Sequence, residues 1–206
     1  MARGTLITLE GIDGAGKSTL AVSLQRELGA RGARAELLRE PGGVEVSERI
    51  RALVQDPSLH VLARTEALLY AAARAQLVHQ RVQPALDRGA LVLLDRFVDS
   101  SLAYQGAARE LGVEQVRQVN LFATAGLQPD RTLLLVLDPA AARARQAGRG
   151  QQADRLERED QRIFAAVAAA YRELARAEPE RIRTLDAAQP PQRVLADALA
   201  ALADLL

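Results

Sequence analysis

The sequence predicts an α/β protein with a parallel five-stranded sheet covered by helices on both faces. Apolar runs such as Leu91–Leu94 and Leu133–Leu137 indicate strands that are buried on both sides. Amphipathic helical patterns alternate with these strands along the chain, which is typical of a sheet with crossover helices. The octet Gly11–Ser18 lies between the first strand and the first helix and fits the pattern G-x-x-x-x-G-K-S/T.

The predicted elements follow in order along a single domain that spans residues 1–206. The strands are expected at Thr5–Leu9, Ala35–Arg39, Leu91–Asp95, Thr132–Leu137 and Arg183–Leu185. The helices are expected at Ser18–Leu28, Val46–Val54, Thr65–Arg88, Val113–Ala125, Ala140–Gln146, Arg155–Ala177 and Gln192–Leu206. The aperiodic stretch Gly148–Gln152 predicts a mobile loop, and we expect a lid at about residues 146–155.

Composition narrows the functional class. The chain has 27 basic and 26 acidic residues, and this balance argues against a general nucleic-acid binder or membrane binder. It contains no cysteine, so disulfides and thiolate metal sites are excluded. No apolar run reaches the roughly 18 residues of a membrane helix. Because Met1-Ala2-Arg3-Gly4 leads directly into the first strand, no signal peptide is predicted, and we expect a cytoplasmic protein.

The octet predicts a P-loop that binds nucleotide phosphates. Its glycines let backbone N–H groups approach an anion, and the positive end of the following helix adds to the attraction. Lys17, the single lysine of the chain, can reach the β- and γ-phosphates, and the Ser18 hydroxyl suits Mg²⁺. ATP or GTP with magnesium is therefore expected. A GTPase switch is excluded, because its guanine-reading N-K-x-D loop needs a second lysine.

Polar residues at the ends of two further strands predict a second phosphate site. Asp95 ends the third strand and suits magnesium or water, while the adjacent Arg96 suits bidentate binding of a phosphate. A salt bridge at the strand end is the alternative interpretation. The loop Arg39–Gly43 follows the second strand and is alternatively a plain Pro-Gly turn. Arg51, in the next helix, could face a ligand or solvent.

Two further groups of side chains have both functional and purely structural interpretations. Tyr70 and Arg74 share one helix face and could stack on a base and donate to its exocyclic oxygen. The alternative is an amphipathic helix with a half-buried tyrosine. Four arginines surround the mobile loop and could close over the transferring phosphoryl group or form a solvated charge cluster: Arg143, Arg145, Arg149 and Arg155.

These segments together resemble the thymidylate kinase family, over nearly the whole chain and in the right order. The resemblance rests on the P-loop, the Arg39–Gly43 loop, the Tyr70–Arg74 helix, the Asp95–Gly106 segment, and Asp154–Glu157 and Asp186–Pro190. It implies the P-loop fold of nucleoside monophosphate kinases with a mobile lid, transfer of phosphate from ATP to dTMP, Mg²⁺ as cofactor, and a homodimer. Another nucleotide or deoxynucleoside kinase remains the alternative, and a P-loop ATPase that drives a partner would leave Arg96, Tyr70 and Arg74 unexplained.

The resemblance also implies roles for individual residues. The ATP phosphates would be held by Gly11, Ile12, Asp13, Gly14, Ala15, Gly16, Lys17, Ser18 and Thr19. Ser18 and Asp95 would bind the magnesium ion. Arg96 and Arg51 would clamp the dTMP phosphate, with Asp13 nearby. Toward the nucleoside, Tyr70 would stack on thymine, where the family usually has phenylalanine. Arg74 would donate to thymine O4, and Ser100, Tyr104 and Gln105 would complete the substrate site.

One departure from part of the family concerns the catalytic arginine. Some members carry an arginine in the P-loop where this chain has Gly14. The resemblance to the bacterial group that lacks it implies a catalytic arginine in the lid. We expect Arg149, which lies between two glycines, with Arg145 as the second candidate.

Overall fold

The computed structural model describes residues 3–147 and 161–206. Within these residues the five strands form one parallel sheet in the order β2-β3-β1-β4-β5. The strands are β1 (Leu6–Glu10), β2 (Ala35–Arg39), β3 (Leu91–Asp95), β4 (Arg131–Val136) and β5 (Ile182–Asp186). The predicted parallel sheet is confirmed, with strand ends that differ from the predicted ones by at most one residue.

Helices cover both faces of this sheet. They are α1 (Lys17–Ala30), α2 (Glu45–Gln55), α3 (Ala63–Leu77), α4 (Gln83–Asp87), α5 (Val98–Ser101), α6 (Val113–Ala123), α7 (Pro139–Ala147), α8 (Gln161–Ala177) and α9 (Pro191–Ala201). The helix predicted at Thr65–Arg88 is present as α3 and α4, joined by a π-helical turn at Val78–Val82. Pro84 explains the wider turn, because it lacks an N–H and its ring crowds the preceding carbonyl groups.

The sequence patterns missed the helical segment after β3. Here α5 continues into a π-helical stretch, Leu102–Ala108, where no helix was predicted. The segment buries polar and apolar side chains alike, including Ser100, Leu102 and Gln105. It therefore lacks the apolar stripe on one face by which a surface helix is identified from sequence.

Alternating strand residues pack into two apolar clusters, one on each side of the sheet. Ile7 and Leu9 of β1 pack with Leu24 of α1 and with residues of α8 and α9. Leu6 and Leu94 pack on the opposite side, with Phe97 and the helices around the π-helical turn. The strands point their carboxyl ends to one edge, where ligands bind in open α/β sheets. Among the described residues, no helix is long and apolar enough to cross a membrane.

Candidate active site

The P-loop requires glycine at several positions. Gly14 and Gly16, for example, have φ angles of 86° and 100°, in the left-handed region that other residues avoid. A Cβ atom on Gly14 would also lie 2.4 Å from the backbone oxygen of Ala142 in α7. The close packing of α7 on the loop therefore leaves no space for a side chain, which accounts physically for the absence of an arginine at this position.

Lys17 is buried in the P-loop at the start of α1. Its ammonium donates hydrogen bonds of 3.0 Å to the carbonyl oxygens of Gly11 and Ile12. Burial lowers the pKa of Lys17 to about 8, and the nearby charge of Arg96 contributes in the same direction. The ammonium is thus held at the position where nucleotide phosphates would approach the loop.

Ser18 and Asp95 form a pair of oxygen donors beside the loop. The Ser18 hydroxyl donates a 2.7 Å hydrogen bond to Oδ2 of Asp95, which joins the start of α1 to the end of β3. Hydroxyl and carboxylate oxygens are hard donors of the kind that Mg²⁺ prefers. No group of three or more acidic or histidine side chains suited to a metal occurs in the described part of the chain.

Arg96 forms the central ion pair of the site. Its Nη2 lies 2.6 Å from Oδ1 of Asp13, and its guanidinium stacks 5.2 Å above the ring centre of Tyr104. Burial alone would raise the pKa of Asp13, but the charges of Arg96 and Lys17 outweigh burial and hold that pKa well below its usual range. Burial opposes the charge of Arg96 too, yet Asp13 raises the Arg96 pKa, so both groups stay ionised.

A cavity of about 160 Å³ opens beside this pair. Its lining includes six of the predicted substrate residues, namely Arg51, Tyr70, Arg96, Ser100, Tyr104 and Gln105. The amide nitrogen of Gln105 donates a 2.8 Å hydrogen bond to the carboxylate of Glu66, which fixes the orientation of the amide group. The structure thus brings these residues together from three different segments of the chain, around Arg51, around Tyr70 and from Arg96 to Gln105. We call this space the acceptor cavity.

Arg74 is placed differently from the other predicted substrate residues. It is 2% exposed and is not among the residues that line the acceptor cavity. Its guanidinium donates to Glu40 at 2.7 Å, to Ser101 at 2.9 Å, to Asn120 and to the carbonyl oxygen of Phe97 at 2.9 Å. Arg74 thus supports the lining residues Glu40 and Ser101 from behind, and its contact with a base stays a prediction.

Two more cavities lie next to the acceptor cavity, along the carboxyl edge of the sheet. The phosphate cavity, about 390 Å³, contains the P-loop with Asp95 and Arg96, and it shares Asp13, Glu40, Arg51 and Arg96 with the acceptor cavity. The donor cavity, about 320 Å³, shares Gly14, Gly16 and Thr19 with the phosphate cavity and extends to Ala187 and Gln189. Arg145 also lines the donor cavity, whereas Arg149, Arg155 and most of the predicted lid lie outside the described residues.

Sequence reasoning missed two residues behind Arg96. Glu10 ends β1 and accepts hydrogen bonds from Phe97, Ser100 and Tyr171. A lone charged residue at the end of an apolar strand was the available signal for Glu10. Tyr171 offered none, because it continues the apolar face of α8.

Comparisons with known proteins show which proteins the chain is similar to. The family model described as Thymidylate kinase matches residues 9–198. The thymidylate kinase of Deinococcus radiodurans is 46% identical over 204 residues, which cover 99% of this chain and 98% of that protein. The thymidylate kinase of Clavibacter michiganensis is 49% identical over 94% of this chain and 92% of its own length. That of Lactobacillus delbrueckii is 46% identical, with 94% and 93% covered.

Proposed function

We propose, from the premise that the chain belongs to the thymidylate kinase family, that it phosphorylates dTMP to dTDP with ATP. The γ-phosphoryl group of ATP would be transferred across the junction of the acceptor cavity and the phosphate cavity. The observation that carries this proposal is the set of residues that the acceptor and phosphate cavities share. Asp13, Arg51 and Arg96 border both spaces, so a phosphate bound in either one would meet the same two arginines.

The donor phosphates would bind to the P-loop. Its backbone N–H groups and the ammonium of Lys17 would hold the β- and γ-phosphates, while the adenosine extends into the donor cavity toward Gln189. Ser18 and Asp95 would hold Mg²⁺ together with the phosphate oxygens. The ion would neutralise charge on the transferring group and align it.

The acceptor would bind with its phosphate at the junction and its base in the acceptor cavity. Arg96 and Arg51 would hold the phosphate, which is an anion at neutral pH and needs no strong base to attack. Tyr70 would stack on thymine, and the oriented amide of Gln105 would bond to the base. Tyr104 would lie near the sugar. Arg74 has one further N–H beyond its four observed bonds, and we propose that it donates this one to the base.

We propose that one further arginine, in addition to Lys17, Arg51, Arg96 and Mg²⁺, stabilises the negative charge of the transition state. Arg149 is our candidate and Arg145 the second, because Arg145 already lines the donor cavity. Alanine variants of the two, measured together, separate the possibilities. The alanine variant that lacks the catalytic arginine should have a kcat roughly 10³-fold lower than the wild type, with little change in the KM for ATP or dTMP. Nearly unchanged kcat in both variants would remove the lid arginine from the proposal.

We also propose a homodimer. The packed helices α2, α3 and α6 carry exposed apolar side chains, among them Leu53, Leu68 and Leu121. Phe122 of α6 is 91% exposed and adds a large aromatic side chain to these apolar residues, and exposed apolar patches mark interaction surfaces. A second copy packed on this surface, which we call the α2–α3–α6 face, would bury these residues.

Acceptor specificity tests the proposed function directly. The purified protein is incubated with ATP, Mg²⁺ and one acceptor at a time, and ADP formation is measured for dTMP, dUMP, dCMP, AMP, GMP and thymidine. We expect the highest kcat/KM for dTMP and only slow ADP formation without acceptor. A higher kcat/KM for another acceptor would identify a different nucleotide or nucleoside kinase, and rapid ADP formation without acceptor would indicate an ATPase.

A further inference from the structure

A fully buried carboxylate lies directly behind Arg96. Glu10 is the last residue of β1 and is 0% exposed. Its Oε1 accepts hydrogen bonds from the backbone N–H groups of Phe97 at 2.7 Å and Ser100 at 3.2 Å. Its Oε2 accepts from the hydroxyls of Ser100 at 2.6 Å and Tyr171 at 2.8 Å. These four donors offset the cost of burying the group, and they all come from the surroundings of Arg96.

The backbone at Arg96 needs such an anchor. Arg96 has a φ angle of 71°, in the left-handed region, which is unfavourable for a residue with a long side chain. Its N–H donates 3.0 Å to the carbonyl oxygen of Leu9, and the next N–H, from Phe97, reaches Glu10. The end of β1 thus holds the chain on both sides of the Arg96 α-carbon and keeps the side chain directed toward the cavities.

The direction of the hydrogen bonds links Arg96 to Glu10 and Tyr171. Arginine only donates, so Ser100 Oγ accepts from Nη1 of Arg96 at 2.9 Å. The hydroxyl hydrogen of Ser100 is then directed to the carboxylate of Glu10. Tyr171 donates to the same carboxylate oxygen, and its own oxygen lies 3.4 Å from Nη1 of Arg96. The hydroxyls of Ser100 and Tyr171 therefore both donate to the Glu10 carboxylate, and the oxygens of both hydroxyls face Nη1 of Arg96.

We infer that Tyr171 and Glu10 are positioning residues that hold the guanidinium of Arg96 in the orientation in which it receives the acceptor phosphate. This inference rests on the proposed function, because it requires Arg96 to contact that phosphate. Tyr171 reaches the site from α8, which packs against the π-helical segment Leu102–Ala108. Its ring belongs to the apolar core and only its hydroxyl enters the site. Removal of that single oxygen therefore tests the role with little disturbance of packing.

Steady-state kinetics of Tyr171→Phe test the inference. We expect kcat/KM for dTMP to fall about three- to tenfold, the size expected for one lost hydrogen bond, and KM for ATP to change less than about twofold. The matched control is Thr8→Val, which removes another buried hydroxyl, bonded at 2.7 Å to Thr132, from the same strand as Glu10. The control should lower the melting temperature without a selective effect on dTMP. Equal effects of Tyr171→Phe on both substrates would overturn the inference.

A double-mutant cycle shows whether Tyr171 acts through Arg96. Arg96→Lys keeps the charge but loses the planar guanidinium that reaches Ser100 and Asp13 together. In that background, Tyr171→Phe should lower kcat/KM for dTMP by less than about twofold further. Ser100→Ala breaks the same chain of hydrogen bonds at its centre and should reproduce the selective loss even if Tyr171→Phe folds poorly.

The cycle also separates failure of the inference from failure of the proposed function. If Arg96→Lys impairs dTMP selectively but Tyr171→Phe has the same effect in both backgrounds, the positioning role is wrong and the phosphate clamp stands. If Arg96→Lys leaves kcat/KM for dTMP unchanged, the phosphate clamp itself is wrong and the positioning role fails with it.

Discussion

At the residue scale, Arg74 shows that helix spacing predicts which face of a helix a side chain lies on but does not predict how deeply that side chain is buried. The spacing placed Arg74 on the same helix face as Tyr70, and both residues are near the acceptor cavity. The structure adds that Arg74 is buried against Glu40 and makes three further hydrogen bonds. Helix periodicity carries no information on how deep a charged side chain lies, since that depends on partners 23 to 46 positions away in the chain.

Arg74→Ala should therefore destabilise the protein as well as weaken dTMP binding. Removing one partner of a buried ion pair leaves Glu40 unpaired and typically costs about 3 kcal/mol or more in the free energy of unfolding. Urea denaturation measures this free energy. Arg81→Ala, which removes the exposed ion pair with Glu36, is the matched control and should cost less than about 1 kcal/mol. Similar small losses in both variants would contradict the structural role of Arg74.

Glu40 gives the stability of the protein a specific pH dependence. Burial raises the pKa of Glu40 from its usual 4.5 to about 7, although the charge of Arg74 opposes this shift. The folded state then binds this proton more tightly than the unfolded state. The contribution of Glu40 to stability is therefore greatest below pH 4.5, falls as the pH rises from about 4.5 to about 7, and is lowest above that window.

The prediction is tested by the free energy of unfolding of the wild type and Glu40→Gln between pH 5 and pH 8. Between pH 5 and pH 7 the wild type should lose up to about 1.4 kcal/mol per pH unit relative to the variant, which has no group to titrate at this position. Parallel pH profiles of the two proteins would show that the Glu40 pKa is not raised.

At the element scale, the contact between the P-loop and α7 makes Gly14 a sensitive position. Gly14→Ala places a Cβ atom 2.4 Å from the carbonyl oxygen of Ala142 and puts alanine at a φ angle of 86°. We expect a loss of about 1–3 kcal/mol in stability and a higher KM for ATP, because the loop must shift. Thermal denaturation and steady-state kinetics measure these two effects.

Gly29→Ala is the matched control for this prediction. Gly29 lies in α1, and a Cβ atom there would have nothing within 4 Å. Alanine is the better helix former, so this variant should be as stable as the wild type or more stable, with unchanged KM for ATP. If Gly14→Ala behaved like Gly29→Ala, the close packing of α7 on the P-loop would be refuted.

The elements differ in how well the sequence predicts them, and the reasons are physical. The strands and α1 were predicted because an apolar run or a regular apolar stripe is a local property of the chain. The helical segment from Val98 to Ala108 was missed because its buried face is partly polar and is stabilised by distant residues. Glu10 was missed for a related reason, since its bond to Tyr171 joins residues 161 positions apart.

At the scale of the whole molecule, the strand order explains how a site forms from separate motifs. β1 lies between β3 and β4, so the P-loop after β1 comes next to Asp95 and Arg96 at the end of β3. β2 lies on the other side of β3 and brings the loop from Arg39 to Gly43 beside them. Parallel strands direct all of these loops to one edge, which is why motifs with separate local signals produce one continuous row of cavities.

The α2–α3–α6 face predicts the assembly of the molecule. Phe122→Glu should convert a dimer to a monomer, because a carboxylate at this position would have to be buried between two copies. Sedimentation velocity measures the mass of the wild type and the variant. Val22→Glu, at an apolar position on α1 that is 59% exposed and outside this face, is the control and should remain dimeric. A monomeric wild type at micromolar concentration would contradict the proposed homodimer.

The central claim is that the two substrates meet at the junction formed by Asp13, Arg51 and Arg96. A crystal structure with dTMP, Mg²⁺ and a non-hydrolysable ATP analogue tests this claim most directly. The account predicts that the dTMP phosphate contacts Arg96 and Arg51, that the base stacks on Tyr70, and that the γ-phosphate of the analogue lies against Lys17. A dTMP phosphate bound away from Arg96 and Arg51, or a base outside the acceptor cavity, would contradict it.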